Sequence, residues 1–258
     1  MLALPISGVQ ATWRPATGRD DIALADGAQG LEGAVDYVGS AVRLDPPVEA
    51  RDLPVGDVDL VVVWDRRERR GDTMVAEGRC GRCLEPVDVR FSLAAYAAHH
   101  RPRASRRAEP IGDGWFRLRA GEAEFRVPTS ADVLEAAASV DPRSELLDRC
   151  VRGTVPPATA RSIEAAMARL APTLRAAVAG TCPECGAAFE LEVDARELCM
   201  AELRQDAITV YDDVNLIATA YGWSQDDILD LPSARRRRYA GTIAGHLPET
   251  RARELAHA

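Results

Sequence analysis

Two cysteine pairs, each with the spacing CxxC, constrain this chain more than any other feature. One lies in Thr181-Cys182-Pro183-Glu184-Cys185-Gly186 and leads into the alternating run Phe189-Glu190-Leu191-Glu192-Val193. The other is Cys80-Gly81-Arg82-Cys83, which leads into Val87-Asp88-Val89-Arg90-Phe91. A CxxC turn aims two sulfurs at one point while neighbouring N–H groups stabilise their charge, and two such turns supply the four thiolates of a closed tetrahedral zinc. The expectation is therefore one structural Zn2+ held by Cys80, Cys83, Cys182 and Cys185. Ninety-eight residues separate Cys83 from Cys182, against roughly 15–20 in a compact ribbon. Closure entropy grows only logarithmically with loop length, so this span is tolerable if the intervening segment folds as a module. Two other readings of the same residues stay open: separate half-sites that hold no metal, and a thiol redox pair at one of them. Cys150 and Cys199 sit in apolar helical runs and read as buried small hydrophobes.

The remaining composition narrows the class. The first residues, Met1-Leu2-Ala3-Leu4-Pro5-Ile6, show no basic region followed by a long apolar stretch. With reduced thiols, this gives the expectation of a soluble cytoplasmic protein. No apolar run approaches the ~20 residues of a membrane span. A net charge of −8 argues against a general nucleic-acid binder. All 32 basic residues are Arg, which excludes a Walker lysine and a Schiff-base lysine. None of His99, His100, His246 and His257 has a nucleophile pattern nearby, so no Ser-His or Cys-His enzyme is supported. A catalytic zinc needs an open position for water, which four thiolates do not leave. The chain reads as a non-enzyme.

Its organisation reads as α+β: zinc-ribbon-like β modules with CxxC knuckles and a mainly helical C-terminal region. Residues 1–98 form an N-terminal α/β region. Asp20-Asp21 opens a short helix through Leu24, and a second helix is possible over Leu31–Val42. The β-branched run Val58–Trp64 predicts a strand, Arg66–Asp72 a charged turn, and Thr73–Gly78 the returning strand. Residues 99–113 read as a mobile basic linker lacking aromatic residues for base stacking. Residues 114–193 hold a hairpin turning at Gly121 and a helix capped by Thr129 and Asp132. A short helix from Ser144, a helix over Thr159–Leu170 and the second knuckle follow. Residues 194–258 form the helical region. Its long helix runs from Asp194 to Tyr221 with a seam of Leu203, Ala207, Val210, Val214, Ile217 and Tyr221. Packing within the chain is expected to cover that seam. Gly222 ends the helix, Ser224 to Asp227 caps a short one, and Ser233 caps a last one bearing Arg235–Arg238. Four consecutive arginines fan around roughly 300° of a helix, so they read as ion-pair donors to Asp226, Asp227 and Asp230 and not as a groove-reading face.

The segment Leu216–Pro232, with Tyr221-Gly222-Trp223-Ser224, Ile228-Leu229-Asp230-Leu231 and Arg235-Arg236-Arg237-Arg238-Tyr239, resembles the C-terminal signature of baseplate-hub assembly proteins. These serve contractile phage tails and related contractile injection systems. Cys182–Gly186 with Phe189-Glu190, Pro128–Asp132 and Leu146–Cys150 are similar to members of the same group, so the likeness covers about residues 125–245. It implies a non-enzymatic, chaperone-like factor whose partners are baseplate or hub subunits. It implies a partner-binding surface at Tyr221, Trp223, Ile228, Leu231, Arg235 and Arg238. Tyr221 and Trp223 are also expected to be partly buried, because an aromatic pair packs the helix-ending turn. A second likeness, over about residues 55–96, is local: Cys80-Gly81-Arg82-Cys83-Leu84-Glu85-Pro86-Val87 is similar to the knuckle of the YceD family associated with ribosomal RNA accumulation. It implies, as the alternative, a zinc-stabilised RNA-associated protein. The chain departs from that family after residue 96.

Overall fold

The computed structural model describes residues 1–246; residues 247–258, which include His257 and the end of the expected helical region, lie outside the described residues. Strands β1 (Leu2–Ala3) and β2 (Gln10–Trp13) pair antiparallel. Thr17 then precedes α1 (Gly18–Asp26), where the Asp20 carboxylate accepts the Thr17 N–H at 2.8 Å, and α2 (Gly30–Ala41) follows. Both helices stand where the sequence predicts them. β3 (Val42–Asp45) returns beside β2, with Ala11 opposite Leu44.

The run Val58–Trp64 is a correction: it is helical, inside α3 (Val55–Arg70), and most of the expected charged turn is the end of that helix, closed by Gly71 at φ +84°. The β-branched residues favour a strand locally, but the acidic residues between them decide the matter. Asp57 accepts the N–H groups of Ile6 at 3.1 Å and Ser7 at 2.8 Å, Asp59 accepts that of Leu174 at 2.9 Å, and Asp65 accepts the Tyr37 hydroxyl. A strand would put Asp57, Asp59, Val61, Val63 and Asp65 on one face. In the helix Asp59 and Val63 turn away from Asp57, Val61 and Asp65, and within the buried α3 each carboxylate reaches its own donor while the valines pack in the core.

Strand β4 (Thr73–Arg79) is present, and it pairs with β5 (Pro86–Ser92) in place of the expected Val58 run, in unbroken register from Thr73–Ser92 to Arg79–Pro86. Ser92 caps α4 (Leu93–His99) by accepting the Ala95 N–H at 3.0 Å. The expected mobile linker is also corrected. Its second part is β6 (Ala108–Gly112), which pairs with β7 (Trp115–Leu118), itself paired with β8 (Glu124–Arg126). The buried Ala108 opposite Leu118 anchors this stretch despite its basic composition. Next comes α5 (Ser130–Ala137), with the reciprocal Thr129–Asp132 cap, and then α6 (Pro142–Cys150), capped by Asp141, which accepts the Ser144 N–H. α7 (Pro157–Leu170) completes a module with its own core of Leu118, Phe125, Cys150, Ile163 and Ala166.

β9 (Arg175–Thr181) and β10 (Ala188–Asp194) form the second knuckle hairpin, and Asp194 caps α8 (Ala195–Tyr221) by accepting the Glu197 N–H at 3.1 Å. Gly222, at φ +67°, ends α8; α9 (Gln225–Leu229) and α10 (Ser233–His246) fold back onto it. The α8 seam is covered within the chain as far as Ile217, while Tyr221 at its end stays exposed. Leu203 and Ala207 join the main core with α2, α3 and the bases of both hairpins, while Ile217 packs with Ile228 and Ala240. The result is an α+β fold of small antiparallel sheets, a cysteine cluster and a helical C-terminal region. Among the described residues no helix is long and apolar enough to cross a membrane.

Candidate metal centre

The two knuckles are copies of one turn. In the first, the Cys80 N–H donates to the Glu85 carbonyl and the Leu84 N–H to the Cys80 carbonyl, both at 2.9 Å. In the second, the Cys182 N–H donates to Ala187 at 2.9 Å and the Gly186 N–H to Cys182 at 3.0 Å. The fifth residue of each turn is left-handed: Leu84 at φ +62° and Gly186 at φ +68°. Each turn links two seven-residue strands, and the two hairpins meet. The Leu191 side chain lies so close to Gly78 that a Cβ there would come within 2.7 Å of it.

This meeting brings all four expected ligands together. The sulfurs of Cys80, Cys83, Cys182 and Cys185 lie within 4.8 Å of one another. Cys80 and Cys185 are 3.7 Å apart, as are Cys83 and Cys182. A tetrahedron of sulfurs around a metal at roughly 2.3 Å has edges of roughly 3.8 Å, so the separations fit a tetrathiolate ion. Cys80 and Cys182 are fully buried, and Val87, Ala187 and Phe189 pack around them.

The electrostatics fit the same conclusion. The N–H groups of Cys83 and Arg82 point at the Cys80 sulfur and lower its thiol to about 6. At Cys83 the Glu85 N–H favours the thiolate, but desolvation and the three neighbouring sulfurs together push the thiol up to about 12. The cluster thus takes a first negative charge readily and resists further ones unless a cation offsets them. The four residues can hold a metal ion. Cys150 and Cys199 stand apart, fully buried, and burial raises their thiols to about 11 and about 12. Cys199 is an apolar filler, as the sequence suggests, while Cys150 packs in its module core with its thiol donating to Asp132 at 3.9 Å.

The expected partner surface divides. Tyr221 and Trp223 remain 48% and 38% exposed, with ring centroids 5.4 Å apart. Arg235 and Arg238 are exposed, and Leu231 is half-buried. Ile228 is corrected: it is fully buried against Ile217 and Ala240, so it holds α9 down and is not available to a partner. Sequence reading missed Tyr239, whose ring stands edge-on to Trp223 at 5.4 Å with the Arg235 guanidinium 5.8 Å from its centroid. Its spacing of four from Arg235 was the available signal.

The expected ion pairs of the arginine run are also corrected. Arg236 is fully buried and pairs with Asp21 at 2.7 Å and Asp213 at 2.9 Å, while Asp226 and Asp230 are taken by Arg19. Asp227 instead serves the α9 cap with Ser224. Comparison with protein-family models, with curated proteins and with solved structures finds no match.

Proposed function

We propose that this protein is a non-enzymatic, chaperone-like assembly factor that binds baseplate or hub subunits of a contractile tail or injection system in the cytoplasm. We further propose that the ion on Cys80, Cys83, Cys182 and Cys185 is a structural zinc. Four soft anionic ligands at tetrahedral separations favour zinc, and they leave no coordination position for a reactive water.

The observation that carries the interaction role is the aromatic patch where α8, α9 and α10 converge. Tyr221, Trp223 and Tyr239 pack their rings on one another while the first two stay substantially exposed, and Arg235 and Arg238 flank them. Tyr, Trp and Arg are the residues that dominate measured binding energies at protein interfaces. The patch falls within the segment whose sequence resembles the baseplate-hub assembly group.

Co-purification with candidate hub and baseplate subunits tests the reading. The wild-type protein should capture a subunit, and the double variant Tyr221→Ala, Trp223→Ala should lose about tenfold or more in affinity, as truncating two anchor residues does. Capture of none of these subunits, or equal capture by the double variant, would overturn it.

A further inference from the structure

Another face of the molecule carries arginines that pair with no carboxylate among the described residues. These are Arg106 and Arg107 in the segment before β6, and Arg169 near the end of α7, all exposed. They line two adjoining grooves. One, of about 500 Å3, lies between Arg106, Arg107, Ala165 and Arg169. The other, of about 570 Å3, continues past Arg106 and Arg107 to Arg119, Ala158, Thr159 and Ser162.

The groove is held in shape by backbone contacts. The Arg103 N–H donates to the Arg169 carbonyl at 2.8 Å, and the Arg119 N–H donates to the Arg107 carbonyl at 2.8 Å. The Ser105 hydroxyl accepts the Arg107 N–H at 3.2 Å, and Ser105 itself is buried. The arginine-bearing segment is therefore clamped to α7 on one side and to the end of β7 on the other. The adjacent acids are committed elsewhere: Glu109 pairs with Arg119 at 3.2 Å and Glu164 with Arg143 at 2.6 Å. This contrasts with Arg19, Arg66, Arg126 and Arg196, each matched to a carboxylate of the chain.

We propose that this trough binds an acidic, extended peptide segment of a partner protein. Planar guanidinium groups match carboxylates in pairs. Ala158, Ser162, Ala165 and Arg169 succeed one another along one face of α7, and the small side chains of the first three leave room for a main chain to lie close. From Ala158 to Arg169 the helix rises roughly 16 Å, the length of about five extended residues. Nucleic acid fits less well, because no aromatic ring lines the grooves to stack on a base. A chain of net charge −8 also repels a long polyanion. The inference does not rest on the proposed baseplate role, since these residues belong to different elements from the aromatic patch.

Fluorescence anisotropy on the full chain tests it with three labelled probes: a ten-residue peptide of alternating Glu and Ala, the same peptide with Gln for Glu, and a mixed-sequence single-stranded RNA of twelve nucleotides. The Glu peptide should bind at least about tenfold more tightly than the Gln peptide and more tightly than the RNA. Arg106→Glu with Arg107→Glu should weaken it about tenfold or more, and Arg169→Gln, on the helix and not the segment facing it, about threefold. Arg235→Glu with Arg238→Glu should leave it unchanged, which separates this trough from the aromatic patch. Absence of saturable Glu-peptide binding would overturn the proposal, as would affinities that ignore all three groove substitutions. Tighter binding of RNA than of the Glu peptide would overturn it too, assigning the trough to nucleic acid.

Discussion

At the scale of single residues, the two knuckles form an internal experiment. They share hydrogen bonds, length and ligand positions, yet the left-handed fifth position is Gly186 in one and Leu84 in the other. A side chain with a Cβ pays for that conformation with about 1–3 kcal/mol, and Leu84 recovers little through burial because it is 67% exposed. Leu84→Gly is therefore expected to stabilise the protein. Glycine's extra freedom in the unfolded chain offsets part of the relief, leaving about 1 kcal/mol or less. Urea denaturation of the metal-loaded protein measures it, and a loss of stability would mean that Leu84 makes contacts in solution that outweigh its backbone strain. The turn could be identified from sequence through its CxxC spacing. The conformation of Leu84 could be found only by aligning the knuckles on Cys80 and Cys182, which places it opposite a glycine.

Among the elements, α10 depends on one buried charge. The Arg236 guanidinium lies between Asp21 of α1 and Asp213 of α8, and the Ser233 hydroxyl donates to the same Asp21 carboxylate at 2.7 Å. Arg236→Met strips the buried Asp213 of its ion pair and leaves Asp21 only the more distant Arg237, 3.8 Å away, a class of change that costs about 3–5 kcal/mol. Burial already raises the Asp213 carboxyl despite the Arg236 hydrogen bond and charge that pull it down, and the variant removes both pulls. A carboxyl whose folded pKa is raised favours the native state at low pH and loses that advantage as pH rises through the folded value. The stability difference between wild type and Arg236→Met should therefore be larger at pH 7 than at pH 4.5. Denaturant midpoints at the two pH values check this, and a pH-independent difference would show that Asp213 is not the group left stranded. The pair is hidden from sequence reading because Asp21 lies more than two hundred residues upstream, while Asp226 and Asp230, which pair with Arg19 instead, stand close. The Val58–Trp64 run failed for the same reason: what fixes it as helix is Asp57 meeting Ser7 and Asp59 meeting Leu174. By contrast, the Thr129–Asp132 cap, the Ser224–Asp227 cap and the α8 seam lie within a few turns of chain, where periodicity and capping chemistry suffice.

For the whole molecule, the consequence of the cysteine cluster is topological. Residues 84–181 run out from one knuckle and back to the other, and the module of β6–β8 and α5–α7 within them has its own apolar core. The bases of both hairpins belong to the main core with α2, α3 and the first half of α8. An ion shared by the knuckles therefore acts as a cross-link at the mouth of a long loop. Cross-links closing loops of about a hundred residues contribute roughly 4–5 kcal/mol when the unfolded chain is otherwise free. Unlike a covalent bridge, a metal ion is held only by the folded chain, so its contribution follows its affinity, about 3–4 kcal/mol when the free ion stands at roughly 100 to 1,000 times Kd. Cys80→Ser and Cys182→Ser should each release the proposed zinc and lower stability by the same amount. The double variant should be no worse than either single one, because the second substitution has no bound ion left to lose. Elemental analysis with paired denaturation curves measures both quantities. If the two losses added, each knuckle would be stabilising only its own hairpin, and the ion would not be what joins the two ends of the loop.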